Sequence, residues 1–144
     1  MIREISDKDL HGLLALYTHL HANPIPEEND TLLTIWTDIL TDRNHHIIVA
    51  VEDNTIISSC VLIIVPNLTH NQEPYALIEN VVTLSHFRKQ GIATACLDFG
   101  KQIAFQHGCY KIMLMTGSKS DSILNFYRRA GYNSNDKTAF IQWL

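Results

Sequence analysis

The sequence predicts an α/β fold in which helices pack on a mixed sheet, and three observations predict it. Apolar residues recur at helical spacing over residues 9 to 40. The period then changes to β-type runs, and strand and helix patterns alternate through the rest of the chain. The 144 residues, 46% of them hydrophobic, suffice to bury a core without disulfides, and no repeat, low-complexity tract or linker divides them. One domain over residues 1–144 is expected.

Ile2 to Ile5 is a short β-type run. Ser6 with Asp9 three residues later has the spacing of a capping box, and Leu10, Leu13, Leu14, Tyr17 and Leu20 then repeat along one helical face as far as Asn23-Pro24. A loop carrying Glu27 and Glu28 precedes a second helix from about Asp30, with Leu32, Leu33, Ile35, Trp36, Ile39 and Leu40 apolar. His46 to Val51 and Ile56 to Val65 read as strands joined by a tight turn at Glu52-Asp53-Asn54. Ala76 to Thr83 is a further strand. After Gly91 a helix runs to about His107, closed by Gly108. Tyr110 to Thr116 reads as a strand, Ser120 or Asp121 opens a helix that stops at Gly131, and Ala139 to Leu144 reads as a last strand after the turn-prone Asn133 to Asp136. Its apolar side chains suit an edge that pairs with a second subunit, which makes a homodimer an expected assembly.

Cys60, Cys96 and Cys109 are odd in number, widely spaced and set among apolar residues, so they read as reduced core thiols. Residues 1 to 7 meet acidic side chains at once and lack the apolar stretch of a secretory signal. The longest apolar run, Cys60 to Val65, is far short of the roughly 20 residues that span a bilayer. A cytoplasmic chain without a membrane partner is expected. The formal net charge of −4 argues against a nucleic-acid partner, but it is unevenly placed: residues 1 to 84 carry −9 and residues 85 to 129 carry +5. The first part suits a cation and the second an anion; charge merely scattered over the surface is the equally open alternative.

The sharpest motif is Arg88-Lys89-Gln90-Gly91-Ile92-Ala93-Thr94, between a strand and a helix. A helix N-terminus presents unpaired N–H groups and partial positive charge, where a phosphate binds. Glycine allows close backbone approach, and Arg88 and Lys89 add charge-assisted bonds to a pyrophosphate. The spelling meets neither the dinucleotide GxGxxG nor the P-loop pattern.

The segment instead resembles the acyl-CoA-binding motif of the GNAT acetyltransferase family, [RQ]xxGx[GA], met by Arg88, Gly91 and Ala93. The strand Ile78-Glu79-Asn80-Val81-Val82-Thr83 and the stretch Asn125-Phe126-Tyr127-Arg128-Arg129-Ala130-Gly131-Tyr132 are similar to the family's central strand and FYxxxGF segment. The resemblance covers nearly the whole chain in element order and is motif-specific over residues 78 to 132. It implies an N-acetyltransferase that moves the acetyl group of acetyl-CoA to an amine. The central strand would bulge and splay, with the pantetheine lying along Val81, Val82 and Thr83. The family has Asn at the head of the later helix, where this chain has Ser120.

By the same resemblance Tyr127 takes the position facing the thioester sulfur, where a phenol protonates the leaving thiolate. The motif also turns Phe126 inward and leaves Tyr127 for the ligand. Glu79 is the candidate base, because an amine of pKa about 10 must lose a proton before attack. By the period of two it shares a strand face with Thr83. Orienting a loop or binding the substrate are equally open roles for it. The N–H of Val82 at the bulge suits an oxyanion. No histidine pair has the HExxH form, so His19, His21, His45, His46, His70, His86 and His107 read as surface or loop residues and no metal is expected. Cys96 shares helical spacing with Ile92, Phe99 and Ile103 and reads as core, which favours direct transfer without an acyl-enzyme. The acceptor would enter beside the first two helices, near Glu27, Glu28 and Asp30. A small cationic amine fits that field. A protein N-terminus or lysine, and a non-catalytic CoA sensor, are the alternatives. Tyr17, Trp36 and Tyr75 are candidates to line a pocket, though residues at helix period are more often core.

Overall fold

The computed structural model describes residues 1–144 and contains five strands and four α-helices. In chain order they are β1 (Ile2–Glu4), α1 (Leu10–Tyr17), α2 (Asp30–Thr41), β2 (His45–Glu52), β3 (Thr55–Val65), β4 (Tyr75–Thr83), α3 (Ile92–Gln106), β5 (Ile112–Leu114) and α4 (Asp121–Arg129). The strands form one sheet in the order β1-β2-β3-β4-β5. Pairing is antiparallel up to β4, and β4 pairs with β5 in parallel, giving the mixed sheet. The β2–β3 turn is the two-residue Asp53-Asn54, both at positive φ (47° and 61°), the backbone that matches strand twist in a tight hairpin.

Alternation along the strands divides the core into two layers. Ile48, Cys60, Leu62, Ile78, Cys96, Leu97 and Ile103 pack on the α3 face, and α4 lays Phe126 and Tyr127 against the same layer. Leu10, Leu13, Leu16, Trp36, Val49, Val61 and Val82 form the layer under α1 and α2. Trp36 is therefore core, and so is Cys96, whose thiol is pushed up by burial. His45 and His46 lie half-buried at the start of β2, not in a loop, and His46 Nδ1 sits 2.6 Å from Glu4 Oε1.

The Asp9 carboxylate accepts from the Ser6 backbone N–H at 2.7 Å and opens a 3₁₀ turn, Asp7–Asp9, that leads into α1. Arg3 clamps the same carboxylate with two bonds of 2.6 and 2.9 Å, tying β1 to the helix start. The Arg3 guanidinium holds the Asp9 carboxyl well below the usual carboxylate range. A depressed acid stabilises the fold in full above its unfolded value near 4 and loses that contribution as pH falls below it. Asp9→Asn should cost about 1.5–3 kcal/mol at pH 7 by chemical denaturation, with the gap to the parent constant above about pH 4 and narrowing only as the pH falls below it.

Three elements differ from the sequence reading. The first helix ends at Tyr17, with Thr18, His19 and Leu20 closing it through tight turn bonds. The strand expected over Tyr110 to Thr116 is only Ile112–Leu114. Ala139 to Leu144 is no strand: it makes no backbone ladder, and Phe140 and Trp143 are 92% and 86% exposed. A strand needs a neighbour's N–H and C=O groups, and this segment lies against none.

Candidate active site

Strand β4 is the axis of the site. β3 and β4 stay in register from Val61 opposite Glu79, but Ser59 then faces Val82. Asn80 and Val81 together oppose Cys60, and Asn80 takes φ 51°, so the strand carries a bulge. On its other side β4 pairs with β5 only through Ala76, Leu77 and Ile78. From Glu79 to Thr83 that edge has no strand beside it, and the two parallel strands part into an open wedge.

The bulge changes which way side chains point. Glu79 shares the face of its partner Val61, under α1 and α2, whereas Thr83 shares the α3 face with Ser58. The period-of-two argument that put Glu79 and Thr83 on one face is corrected by this extra residue. Glu79 is exposed, and Val82 and Thr83 are buried. Ser58 Oγ donates to the Val82 carbonyl at 2.9 Å and lies 2.7 Å from Thr83 Oγ1, so the bulge is locked from the α3 side.

Beyond β4 the chain turns through Ser85–Phe87 into the glycine loop. Arg88 Nε donates to the Thr83 carbonyl at 3.1 Å, and Gln90 Nε2 donates to the His86 carbonyl at 3.0 Å. Lys89 and Gly91 take positive φ (61° and 80°), and Gly91 caps α3. The first helical bond runs from Ala95 N–H to the Gly91 carbonyl, which leaves the amides of Ile92, Ala93 and Thr94 without helical partners. Successive amides on alternating backbone hands form an anion-binding concavity.

Across the wedge lies α4. Ser120 is its N-cap residue, and its hydroxyl makes no capping bond, so the expected side-chain cap is absent; its carbonyl instead accepts from Ile123 and Leu124. Phe126 and Tyr127 are both half-buried against the α3 layer, so the division of one ring inward and one outward is also corrected. The Tyr127 ring packs on Phe126 at 4.9 Å and edge-on to Tyr132 at 6.5 Å. Burial raises the Tyr127 pKa, and the Glu79 carboxylate adds to it. The phenol stays protonated at neutral pH, and Glu79 is near enough to act on it.

Ser59 was missed in the sequence, and Tyr17, a candidate pocket residue there, takes a place beside it. The hydroxyls of Tyr17 and Ser59 are buried without a hydrogen-bond partner, although Ser59 and Asn80 are close enough to influence the Tyr17 phenol, which burial pushes up to about 12. Both lie on the α1 face of the bulge, beside Glu79. The signal was Ser58-Ser59 interrupting an otherwise apolar strand. Shallow open depressions of about 340 Å³ on α2, between Asp30 and Asp38, and about 320 Å³ between β1, β2 and the Gln90–Ile92 turn lie outside the wedge, and neither contains Glu79 or Tyr127. Tyr75 packs edge-on to Tyr110, away from either depression.

This arrangement has close counterparts. A solved protein from Agrobacterium tumefaciens str. C58, assigned as an acetyltransferase, aligns over 99% of both chains at 33% identity and a TM-score of 0.91. Glucosamine-6-phosphate N-acetyltransferase from Arabidopsis thaliana aligns over 99% of this chain and 97% of its own at 22% identity and a TM-score of 0.87, a likeness of fold. Glucosamine 6-phosphate N-acetyltransferase of Trypanosoma brucei brucei is 30% identical over 82 residues, which are 57% of this chain and 54% of that protein, so the match spans about half of the relative's length. No helix is long and apolar enough to cross a membrane. The sequence model of the acetyltransferase (GNAT) family matches residues 12–132, and with the bulged, splayed β4 and its glycine-capped helix this chain belongs to that family of acyltransferases.

Proposed function

We propose that the chain transfers the acetyl group of acetyl-CoA to a primary amine on a small cationic molecule, by direct attack. The observation that carries this is the unpaired edge of β4 from Glu79 to Thr83, which leads into the amides of the Gly91 loop, with Val81 and Tyr127 packed on the same α3 layer. The pyrophosphate would rest on Lys89, Gln90, Gly91, Ile92, Ala93 and Thr94, with Arg88 contributing the donors not engaged by Thr83. The pantetheine amides would pair along Val81, Val82 and Thr83 in place of a strand, with Ser120 donating from the opposite wall.

The amine nitrogen attacks the thioester carbonyl, the C–S bond breaks, and the thiolate leaves with the electron pair. Tyr127 gives the thiolate its proton, and Glu79 takes the proton of the amine from the α1 side. The Val82 N–H steadies the transient oxyanion. The acceptor's polar groups would satisfy the orphaned hydroxyls of Tyr17 and Ser59, since a buried hydroxyl without a partner costs about 1–3 kcal/mol.

Charge favours a cationic acceptor. No lysine or arginine lies between Asp9 and Asp42, and Asp30 and Asp38 border the depression on α2. An anionic amino-sugar phosphate would find no cation on the first two helices. A panel containing a polyamine, an aminoglycoside, glucosamine 6-phosphate and a peptide amine, read by thiol release, tests this reading. Release with the cationic small amines supports it. Turnover confined to the peptide would replace the small acceptor by a protein, for which the open wedge has room, and cofactor binding with no release on any amine would leave only a sensor. Glu79→Gln should slow turnover about tenfold at pH 7 and recover in part towards pH 10, where the amine deprotonates unaided. A loss that is constant across pH would make Glu79 a positioning group.

A further inference from the structure

We propose that Ser58 is a positioning residue that couples the cofactor's pyrophosphate to the rate of acetyl transfer, through a continuous line of hydrogen bonds from Arg88 to the last residues of β4. The inference rests on the proposed function and gives it a residue that touches neither donor nor acceptor.

The line begins in the glycine loop. Arg88 Nε donates to the Thr83 carbonyl at 3.1 Å, and the two Nη groups of Arg88 make no hydrogen bond or ion pair within the chain. A guanidinium holds all of these donors in one rigid plane. Arg88 therefore reaches two ways at once, to β4 through Nε and to the pyrophosphate through Nη. Lys89 has no second arm, because an ammonium is a point charge on a flexible stem.

From Thr83 the line continues on the α3 face. Ser58 stands opposite Thr83 in the β3–β4 ladder, with its Oγ 2.7 Å from Thr83 Oγ1 and 2.9 Å from the Val82 carbonyl oxygen. A serine hydroxyl has a single proton and a carbonyl only accepts, so Ser58 donates to Val82 and Thr83 donates to Ser58. Ser58, Val82 and Thr83 are 0%, 5% and 9% exposed. In such a dry setting linked hydrogen bonds strengthen one another. Ile57 and Cys60 show that apolar side chains fill this strand well. A hydroxyl at the position that reaches both Val82 and Thr83 adds direction, which packing alone does not supply.

Direction matters here because β4 has no neighbour from Glu79 to Thr83 on the β5 side. The shape of that edge is set from β3 and from Arg88. A donor that carries pyrophosphate fixes the plane of Arg88, and through Thr83 and Ser58 it fixes the edge along which the thioester lies. A donor without pyrophosphate leaves Arg88 free to turn. Binding energy from the remote end of the cofactor then goes into geometry at the reacting centre, and its effect falls on kcat.

The test compares acetyl-CoA with S-acetylpantetheine, which has the same thioester and no nucleotide. The parent chain should turn over saturating acetyl-CoA about tenfold faster or more. Ser58→Ala should lose about tenfold in kcat on acetyl-CoA with little change in KM, and lose nothing on S-acetylpantetheine, so that the two donors become equal. Thr83→Val breaks the same line one link earlier while keeping the side-chain shape, and the double variant should lose no more than either single one. A parent chain that treats the donors alike, or a folded Ser58→Ala that slows both equally, overturns the proposal. A second reading needs no turnover. ADP supplies the pyrophosphate alone, and its binding should slow hydrogen exchange of residues 81–84 in the parent but not in Ser58→Ala. ADP that binds without slowing exchange in the parent overturns the coupling and leaves the phosphate loop standing, whereas ADP that fails to bind overturns both.

Discussion

Gly91→Val should lower the affinity for acetyl-CoA by about a hundredfold or more while the chain stays folded. The residue sits at φ 80°, a backbone conformation that costs an L side chain about 1–2 kcal/mol and a β-branched one most. A Cβ at this position meets no atom within 4 Å, so the fold has room for the side chain. What the valine disturbs is the ligand side: either the loop gives up its αL turn and the amides of residues 92 to 94 lose their common direction, or the side chain stands where a phosphate would approach. A hundredfold loss is about 2.8 kcal/mol, close to two charge-assisted hydrogen bonds. Isothermal titration of acetyl-CoA against the variant and the parent checks it. Equal affinities in two folded proteins would remove the phosphate from this loop.

The second large effect is on rate alone. Tyr127→Phe should reduce kcat by about 10²–10³, within the range for losing one general acid, with little change in cofactor affinity. The ring and its packing on Phe126 and Tyr132 are kept, and only the hydroxyl is removed. The raised pKa of Tyr127 means that the proton donor is loaded across the neutral range, so the parent enzyme should lose rate only when alkaline solution begins to strip the phenol. That alkaline limb should vanish in the variant. A variant with parental kcat and the same limb would leave thiolate protonation to water.

The order of elements and the loop at Gly91 were legible because they depend on local signals: apolar period, a Ser6–Asp9 pair, an Asp53-Asn54 turn and a glycine at a strand-to-helix junction. The bulge was anticipated through the family resemblance alone. Its effect on Glu79 was not, because one extra residue reverses the alternation and no local rule announces which residue is extra. The positive φ at Asn80 is compatible with asparagine, yet many asparagines stand elsewhere. Ser58 and Ser59 carry opposite roles on adjacent positions, one locking the bulge and one unpaired on the far face, and only the register against Val82 and Thr83 separates them. The segment 139–144 has a good strand composition, but composition specifies a strand without naming its neighbour. In this chain no neighbour is present, and the β signal shows up as exposed Phe140 and Trp143.

The proposed function requires β4 and the Gly91 loop to hold acetyl-CoA for transfer to an amine. The most direct test is calorimetric titration of the purified chain with acetyl-CoA, followed on the same sample by thiol release with the amine panel. Saturable one-site binding is expected, with release of free CoA thiol in the presence of a cationic amine. Absence of binding at millimolar acetyl-CoA would contradict it.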